Sequence, residues 1–371
     1  MPSSLRAERF EKVFVRAPNW LGDVVMATPH FDRIRHAFPD AEIVLGVKGG
    51  HGKVLDGLDS FDRRIAVTKP RGLSGLRAEA RKLRSENFDL AILFPNSVSS
   101  ALVAKLAGIR RRLGYTQGRR LWITDGIAFA GARKPFWKRR GPRRVPVPMV
   151  DYWNDLLDAF DFPPAGPHPR LVVTDGEAEA CTRILSELEI DDGHRLVLFA
   201  PTAGFGPSKH WEDPRWAELA SDLVALDPSV RVLLLCGPGE EALVRDIEQQ
   251  AGRPEVRAAL PPVPLDVTKP LVRAAALMVT LDSGPRHLAV AFDVPHVVLM
   301  GPTHPDYTSS NLEHGLILRH EVDCGPCHLP VCPLDHRCMR RITNGEVLEA
   351  CRAQLGLAGD PVRLSSSPDA P

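Results

Sequence analysis

An aspartate closes the segment Arg16-Ala-Pro-Asn-Trp-Leu-Gly-Asp23. Residues 12–17 read as a strand and 23–37 as a helix, so Asp23 stands at a strand-to-helix turn. A carboxylate there either caps the helix by accepting backbone N–H bonds or serves as a general base that takes a proton from an acceptor hydroxyl. Position alone supports both. After the strand at 195–200 comes Ala200-Pro-Thr-Ala-Gly-Phe-Gly-Pro-Ser-Lys-His-Trp211. Thr202, Gly204 and Ser208 let the backbone approach an anion closely, and Lys209 adds a point charge. This is a candidate phosphate loop, the alternative being a polar turn with an exposed lysine that contributes little to stability. It lacks the GxxxxGK[ST] spacing, and no GxGxxG follows a predicted strand, which argues against P-loop NTPases and dinucleotide dehydrogenases. Thr280-Leu-Asp-Ser-Gly-Pro-Arg-His-Leu-Ala289 is another strand-to-helix turn with proline near the first turn, where unpaired N–H groups and the helix dipole attract anions. Asp282 reads equally as a cap, and His287 as a ligand contact or a packed histidine. Two anion sites at sheet ends suit a diphosphate. Cys324, Cys327, Cys332 and Cys338 fall within fifteen residues, with His320, His328 and His336 among them. Zinc sites usually pair two CxxC-like elements across a longer gap, so the spacing favours a thiol-rich structural loop over a metal centre. Cys181, Cys236 and Cys351 are scattered and read as small buried residues.

These turns need sheets to hold them. In the first half, strands at 12–17, 42–47 and 90–94 alternate with helices at 23–37 and 76–85, the β-α-β pattern of a parallel sheet covered on both faces. Residues 162–170, with four prolines in nine, read as a linker. The alternation then restarts: helices at 177–188, 214–226, 240–250, 270–276 and 285–292, and strands at 195–200, 230–236, 277–281 and 296–300. A cysteine-rich loop at 323–340 and a helix at 344–355 follow. The expected class is α/β, with two Rossmann-like doubly wound domains at 1–165 and 166–357 facing across a cleft, and a disordered Ser/Pro/Asp tail at 358–371. No internal sequence repeat is evident. The 371 residues suit two cores. With 44% hydrophobic residues and no apolar run near the roughly 20 residues of a membrane span, the chain reads as globular. Charges in every few residues of 1–16 leave no room for a secretory core, which places the protein in the cytoplasm.

The net charge of +1 hides an asymmetry. Residues 1–150 hold 29 Lys and Arg against 13 Asp and Glu, a net of +16, and the remainder 18 against 33, a net of −15. The basic half points to a polyanionic partner such as nucleic acid, anionic lipid or a phosphorylated substrate. Its densest stretch runs from Arg110 through Arg111, Arg112, Arg119 and Arg120 to seven basic residues at 133–144. The aromatics interleaved there form no recognisable nucleic-acid module, and nucleic acid is not expected as a partner.

Taken together, Asn19-Trp-Leu-Gly-Asp23, Leu93-Phe-Pro-Asn-Ser97, Ala107-Gly-Ile109, Gly204-Phe-Gly-Pro-Ser-Lys-His-Trp211, Asp282-Ser-Gly-Pro-Arg-His287 and Gly301-Pro-Thr-His-Pro305 closely resemble the ADP-heptose:lipopolysaccharide heptosyltransferases, in the family's order from residue 12 to about 352. The resemblance implies a GT-B fold, a nucleotide-sugar donor (ADP-heptose) on the C-terminal domain and an anionic, lipid A-linked acceptor on the N-terminal one. It implies inverting transfer without a metal ion or other cofactor. Asp23 is then the general base, and Lys209 contacts the donor diphosphate. Thr202, Gly204, Ser208, Asp282, Ser283, Gly284 and His287 line the donor side, and Asn19, Trp20, Asn96 and Ser97 the acceptor side. Peripheral contact with the inner membrane through the basic domain follows from such an acceptor. Leu281, where the family has Asn, and Pro261-Pro-Val-Pro264 depart from the pattern. A nucleotide-sugar epimerase of GT-B type is the enzymatic alternative; it would turn over its donor without an acceptor.

Overall fold

The structure is a computed structural model that describes residues 5, 8–129, 141–142 and 145–357. The tail at 358–371 and most of the basic stretch at 133–144 lie outside the described residues. The chain divides into two compact units, one drawn from Met1–Lys134, Arg143–Thr174 and Asp306–Ser310, the other from Pro135–Pro142, Asp175–Pro305 and Asn311–Pro371.

The first unit has five parallel strands: β1 (Lys12–Arg16), β2 (Glu42–Lys48), β3 (Arg63–Val67), β4 (Leu90–Leu93) and β5 (Arg111–Gly114), ordered β3-β2-β1-β4-β5. Helices α1 (Leu21–Met26), α2 (Thr28–Ala37), α3 (Gly72–Arg84), α4 (Val98–Leu106) and α5 (Met149–Asp158) connect and flank them. The inner strands are near-continuous apolar runs because a parallel sheet is covered on both faces, and β4 is buried at every position. The edge strands β3 and β5 each begin with two arginines, and neither carries an apolar run that sequence alone distinguishes from a loop. The helix expected at 23–37 is broken at Ala27. Pro29 has no N–H to continue the ladder to Val25, and the Thr28 hydroxyl donates to that carbonyl instead at 2.9 Å.

The proline-rich stretch is docked onto this unit. The guanidinium of buried Arg33 donates to the carbonyls of Phe162 and Pro163, and Arg170 pairs with Asp32 and Asp59. Beyond this stretch the second unit resumes at Asp175.

The second unit contains β6 (Arg195–Ala200), β7 (Val230–Leu234), β8 (Val256–Ala258), β9 (Leu277–Leu281), β10 (His296–Leu299) and β11 (Gly315–Leu318), all parallel, in the order β11-β10-β9-β6-β7-β8. Its helices are α6 (Asp175–Glu187), α7 (Asp213–Leu226), α8 (Glu241–Ala251), α9 (Leu265–Ala274), α10 (Gly284–Ala291), α11 (Arg337–Arg340) and α12 (Asn344–Leu355). Trp211, Trp216 and Phe199 anchor its core, and α12 starts with a capping box between Thr343 and Glu346. Helix α9 starts five residues before the expected position, so Pro270 lies inside it. Leu281 is buried in the core. No described helix is long and apolar enough to cross a membrane.

Both units are thus doubly wound despite the lack of a sequence repeat. In each, the chain winds one way from the first strand and the other way from its neighbour, leaving a crevice at the carboxyl ends of β1 and β4, and of β6 and β9.

Candidate active site

In the first unit β1 and β4 pair from Val13–Leu90 to Arg16–Leu93, so the turns that follow them meet at one sheet edge. One turn carries Asn19, Trp20 and Asp23, the other Asn96 and Ser97. Asp23 is the third residue of α1, while the N-cap position belongs to Trp20 and makes no side-chain cap bond. Asp23 is therefore not the N-cap; its half-buried carboxylate lies in the first turn, where the helix dipole favours a negative charge. Trp20 is 55% exposed, with the Lys48 ammonium 6.0 Å from its ring centroid. Ser97 is the N-cap of α4, accepting from the Ser100 N–H at 3.1 Å.

Asn96 is oriented by Tyr152, which the sequence does not single out, and by Arg119, which reads there only as one of a basic stretch. Its amide donates to the Tyr152 hydroxyl and accepts from Arg119 at 3.2 Å. Arg119, 1% exposed, also donates to the carbonyls of Tyr115 and Pro95, both at 2.6 Å. It clamps the turn after β4 from inside. Three arginines of the basic stretch are thus bonded within the fold, since Arg111 pairs with Glu8 and Asp125 and Arg112 donates to the Trp122 carbonyl. Local charge density marks a basic stretch but not which way its side chains turn.

In the second unit β6 and β9 pair from Val197–Leu277 to Ala200–Thr280, bringing the phosphate-loop candidate against the start of α10. Lys209 is not an exposed loop lysine: it is 6% exposed, and its ammonium donates to the Asp282 carbonyl and lies 2.7 Å from the Asp282 carboxylate. Asp282 is not the cap either, since Ser283 holds the N-cap position of α10. Its carboxylate also receives the Thr303 hydroxyl at 2.6 Å and faces the Arg286 guanidinium at 3.3 Å. Burial pushes this carboxyl up, but Lys209 and Arg286 outweigh burial and hold it well below the usual range. Lys209 and Arg286 thus converge on one buried carboxylate. The Ser283 side chain makes no cap bond to the first turn of α10.

His287 is buried beside the cluster; desolvation and then Arg286 push it down to about 3, so it is neutral at physiological pH. Thr202 and Gly204 lie on the more open part of the loop, and a Cβ at Gly204 would meet nothing within 4 Å. Of the groups in this cluster, Arg286 was legible as the residue four after Asp282, whereas Thr303 is placed only by the pairing of β10 with β9.

The cysteine-rich segment packs against the loop after β6 and the turn after β10. The Ser208 N–H donates to the Pro330 carbonyl at 3.0 Å, and a Cβ at Gly206, whose φ is +141°, would come within 2.5 Å of that oxygen. A Cβ at Gly301 would strike Met339 and Cys338. The Ser208 hydroxyl is buried without a hydrogen-bond partner among the described residues. Cys324, Cys327, Cys332 and Cys338 are free thiols around a cavity of about 20 Å³, and burial with the other three thiols pushes Cys338 up to about 11. Among the described residues no group of three or more His, Cys, Asp or Glu side chains is arranged to hold a metal ion.

Residues 76–337 match the description of glycosyltransferase family 9 (heptosyltransferase). The chain is 28% identical over 361 residues to lipopolysaccharide heptosyltransferase 2 of Escherichia coli K12, across 93% of this chain and 98% of that protein. The solved structure of E. coli ADP-heptose lps heptosyltransferase II superposes with a TM-score of 0.71 at 26% identity, over 93% of this chain and 98% of that one. An E. coli heptosyltransferase solved with ADP-2-deoxy-2-fluoro heptose shares the fold, with a TM-score of 0.63 at 20% identity over 92% and 99% of the two chains. With two doubly wound parallel sheets, a carboxylate at the switch point of one and a cationic cluster at the switch point of the other, this chain is a GT-B enzyme and belongs to glycosyltransferase family 9, the heptosyltransferases.

Proposed function

We propose that the protein moves a heptose from ADP-heptose to a hydroxyl of an anionic inner-core lipopolysaccharide acceptor, inverting the anomeric carbon without a metal ion. The Asp23 carboxylate takes the proton of the acceptor hydroxyl as its oxygen attacks C1 of the sugar, and the bond from C1 to the diphosphate oxygen breaks. Negative charge then grows on ADP, where Lys209 and Arg286, held by Asp282, and the first N–H groups of α10 stabilise it. The observation that carries this reading is that cluster, because it holds a lysine and an arginine at the start of α10, where their charge can serve as a metal's would. Asn19, Trp20 and Ser97 receive the acceptor, with Asn96 shaping the turn. Assayed with ADP-heptose and an inner-core glycolipid, transfer is expected to persist in excess EDTA. Complete loss, restored by magnesium or manganese, would sink the metal-free mechanism. Altered donor in the absence of any acceptor would point to the epimerase alternative.

The acceptor is a membrane lipid, and the reading extends to peripheral contact at the cytoplasmic face of the inner membrane. Support comes from α3 and the residue before it, which expose Arg71, Arg77 and Arg81 beside Leu73, itself 72% exposed. An electrostatic contact weakens as the Debye length falls from about 10 Å at 0.1 M salt to about 3 Å at 1 M. In liposome sedimentation the protein should therefore bind anionic vesicles at low salt and release at high salt. Equal partitioning onto neutral and anionic vesicles would count against this surface.

A further inference from the structure

Most arginines of the first unit that approach its interior are matched by carboxylates: Arg33, Arg35, Arg63, Arg64, Arg111 and Arg170 each hold one within ion-pair distance. Arg16, at the end of β1, does not. Its Nη1 donates to the carbonyls of Ala17 and Gly46, and its Nη2 to the Asn19 side chain at 2.6 Å. A guanidinium has five N–H donors, so two remain uncommitted. Among the described residues no carboxylate lies within 4.0 Å of it, and burial pushes it down to about 10, with Glu79 as the only charge acting the other way. Glu79 itself accepts the Thr68 hydroxyl at 2.6 Å. A desolvated cation lacking a counterion is costly, and such groups concentrate where a ligand supplies the opposite charge.

Arg16 borders a cavity of about 440 Å³ that Lys48, Lys69, Trp20 and Glu79 also line. That size is within the roughly 300–1,000 Å³ of small-ligand sites. Three cations against one carboxylate give the wall a net positive charge, and neither lysine is ion-paired among the described residues. Trp20 offers an aromatic face for the apolar side of a sugar ring.

We propose that this cavity is an anion seat, in which Arg16, Lys48 and Lys69 hold a carboxylate or phosphate of the acceptor. The guanidinium fork suits either group, and its bond to Asn19 ties the seated anion to the turn that carries Asp23. Arg16 is thus a positioning residue. The inference rests on the reading of the acceptor as an anionic glycolipid.

The test uses the full chain and three probes: the inner-core glycolipid, the same glycolipid dephosphorylated, and the same with its carboxyl groups reduced to alcohols. Acceptor Kd is measured without donor, and kcat and KM in the transfer assay. Because Arg16 also ties β1 to β2, the main variant is Lys48→Gln/Lys69→Gln, with Arg16→Lys beside it to keep charge but lose the fork. The double variant should raise the Kd and KM of the intact acceptor about 10-fold, the scale of one charge-assisted hydrogen bond, with kcat within twofold and ADP affinity unchanged. Arg16→Lys should raise KM in the same direction. The penalty should vanish on the one modified glycolipid that lacks the seated group, which identifies it as phosphate or carboxylate. The proposal is overturned by an unchanged Kd in the double variant, by a penalty that persists on both modified glycolipids, or by failure of all three to bind wild type. Should wild type bind acceptor but transfer no heptose, the functional reading fails while the Kd comparison still decides the seat.

Discussion

Asp23→Asn should yield a folded protein that binds ADP-heptose as wild type does and transfers heptose about 10² to 10⁴-fold more slowly, the usual contribution of a general base. The structure sharpens this expectation. Had Asp23 been the N-cap, its replacement by alanine would have cost roughly 0.5–2 kcal/mol of stability. The N-cap is Trp20 instead, and Asp23 sits three residues further on. Asparagine keeps the shape of the side chain and loses only the charge, worth about 0.3–1 kcal/mol at a helix N-terminus. It cannot accept a proton at neutral pH. Donor binding should persist because the groups assigned to the diphosphate belong to the second unit. Donor affinity, thermal unfolding and transfer measured on one preparation decide the matter; transfer within a few-fold of wild type removes Asp23 from the mechanism.

Lys209→Ala is expected to lose both activity and stability. A donor-side cation that stabilises the leaving diphosphate contributes about 2–4 kcal/mol to the transition state, by comparison with one oxyanion-hole donor. A loop lysine in solvent would give that result with folding unchanged. Here the ammonium lies 2.7 Å from a buried carboxylate, and removing one partner of a buried pair costs about 3–5 kcal/mol. Asp282 keeps Arg286 and Thr303, so the lower end of that range is expected for the second unit in denaturant unfolding. The pH dependence has a defined sign. The Asp282 carboxyl is depressed from its ordinary 3.8, so the stability it contributes is present above that pH and lost as pH falls through the folded value. Lys209→Ala reduces the depression, and acid unfolding should move to higher pH. Wild-type kinetics in a destabilised variant would make Lys209 a structural ion pair only, and wild-type stability would contradict the buried pair.

Much of this architecture is legible without coordinates. The inner strands β1, β2, β4, β6 and β9 stand out because a parallel sheet buried on both faces demands unbroken apolar runs. Since connections between parallel strands are right-handed and the turns after them lie at the carboxyl edge, Asp23, Asn96, Lys209 and Asp282 could each be placed at a strand end from sequence alone. The edge strands β3 and β5 were not separable from loops, since they are short and begin with paired arginines. The break at Ala27 was written in Pro29 but masked by the helical spacing on either side of it.

What tertiary structure alone decided is which charges are free. Lys209 and Asp282 are separated by 73 residues and meet because β6 lies beside β9. Arg119, in the densest basic stretch, turns inward to hold the turn after β4, while Arg16, in a stretch of ordinary charge, faces a cavity with no ion-pair partner among the described residues. A sequence counts cations and their local spacing. Whether a cation is neutralised depends on the carboxylate that strand order brings within about 4 Å, and strand order is a property of the folded sheet.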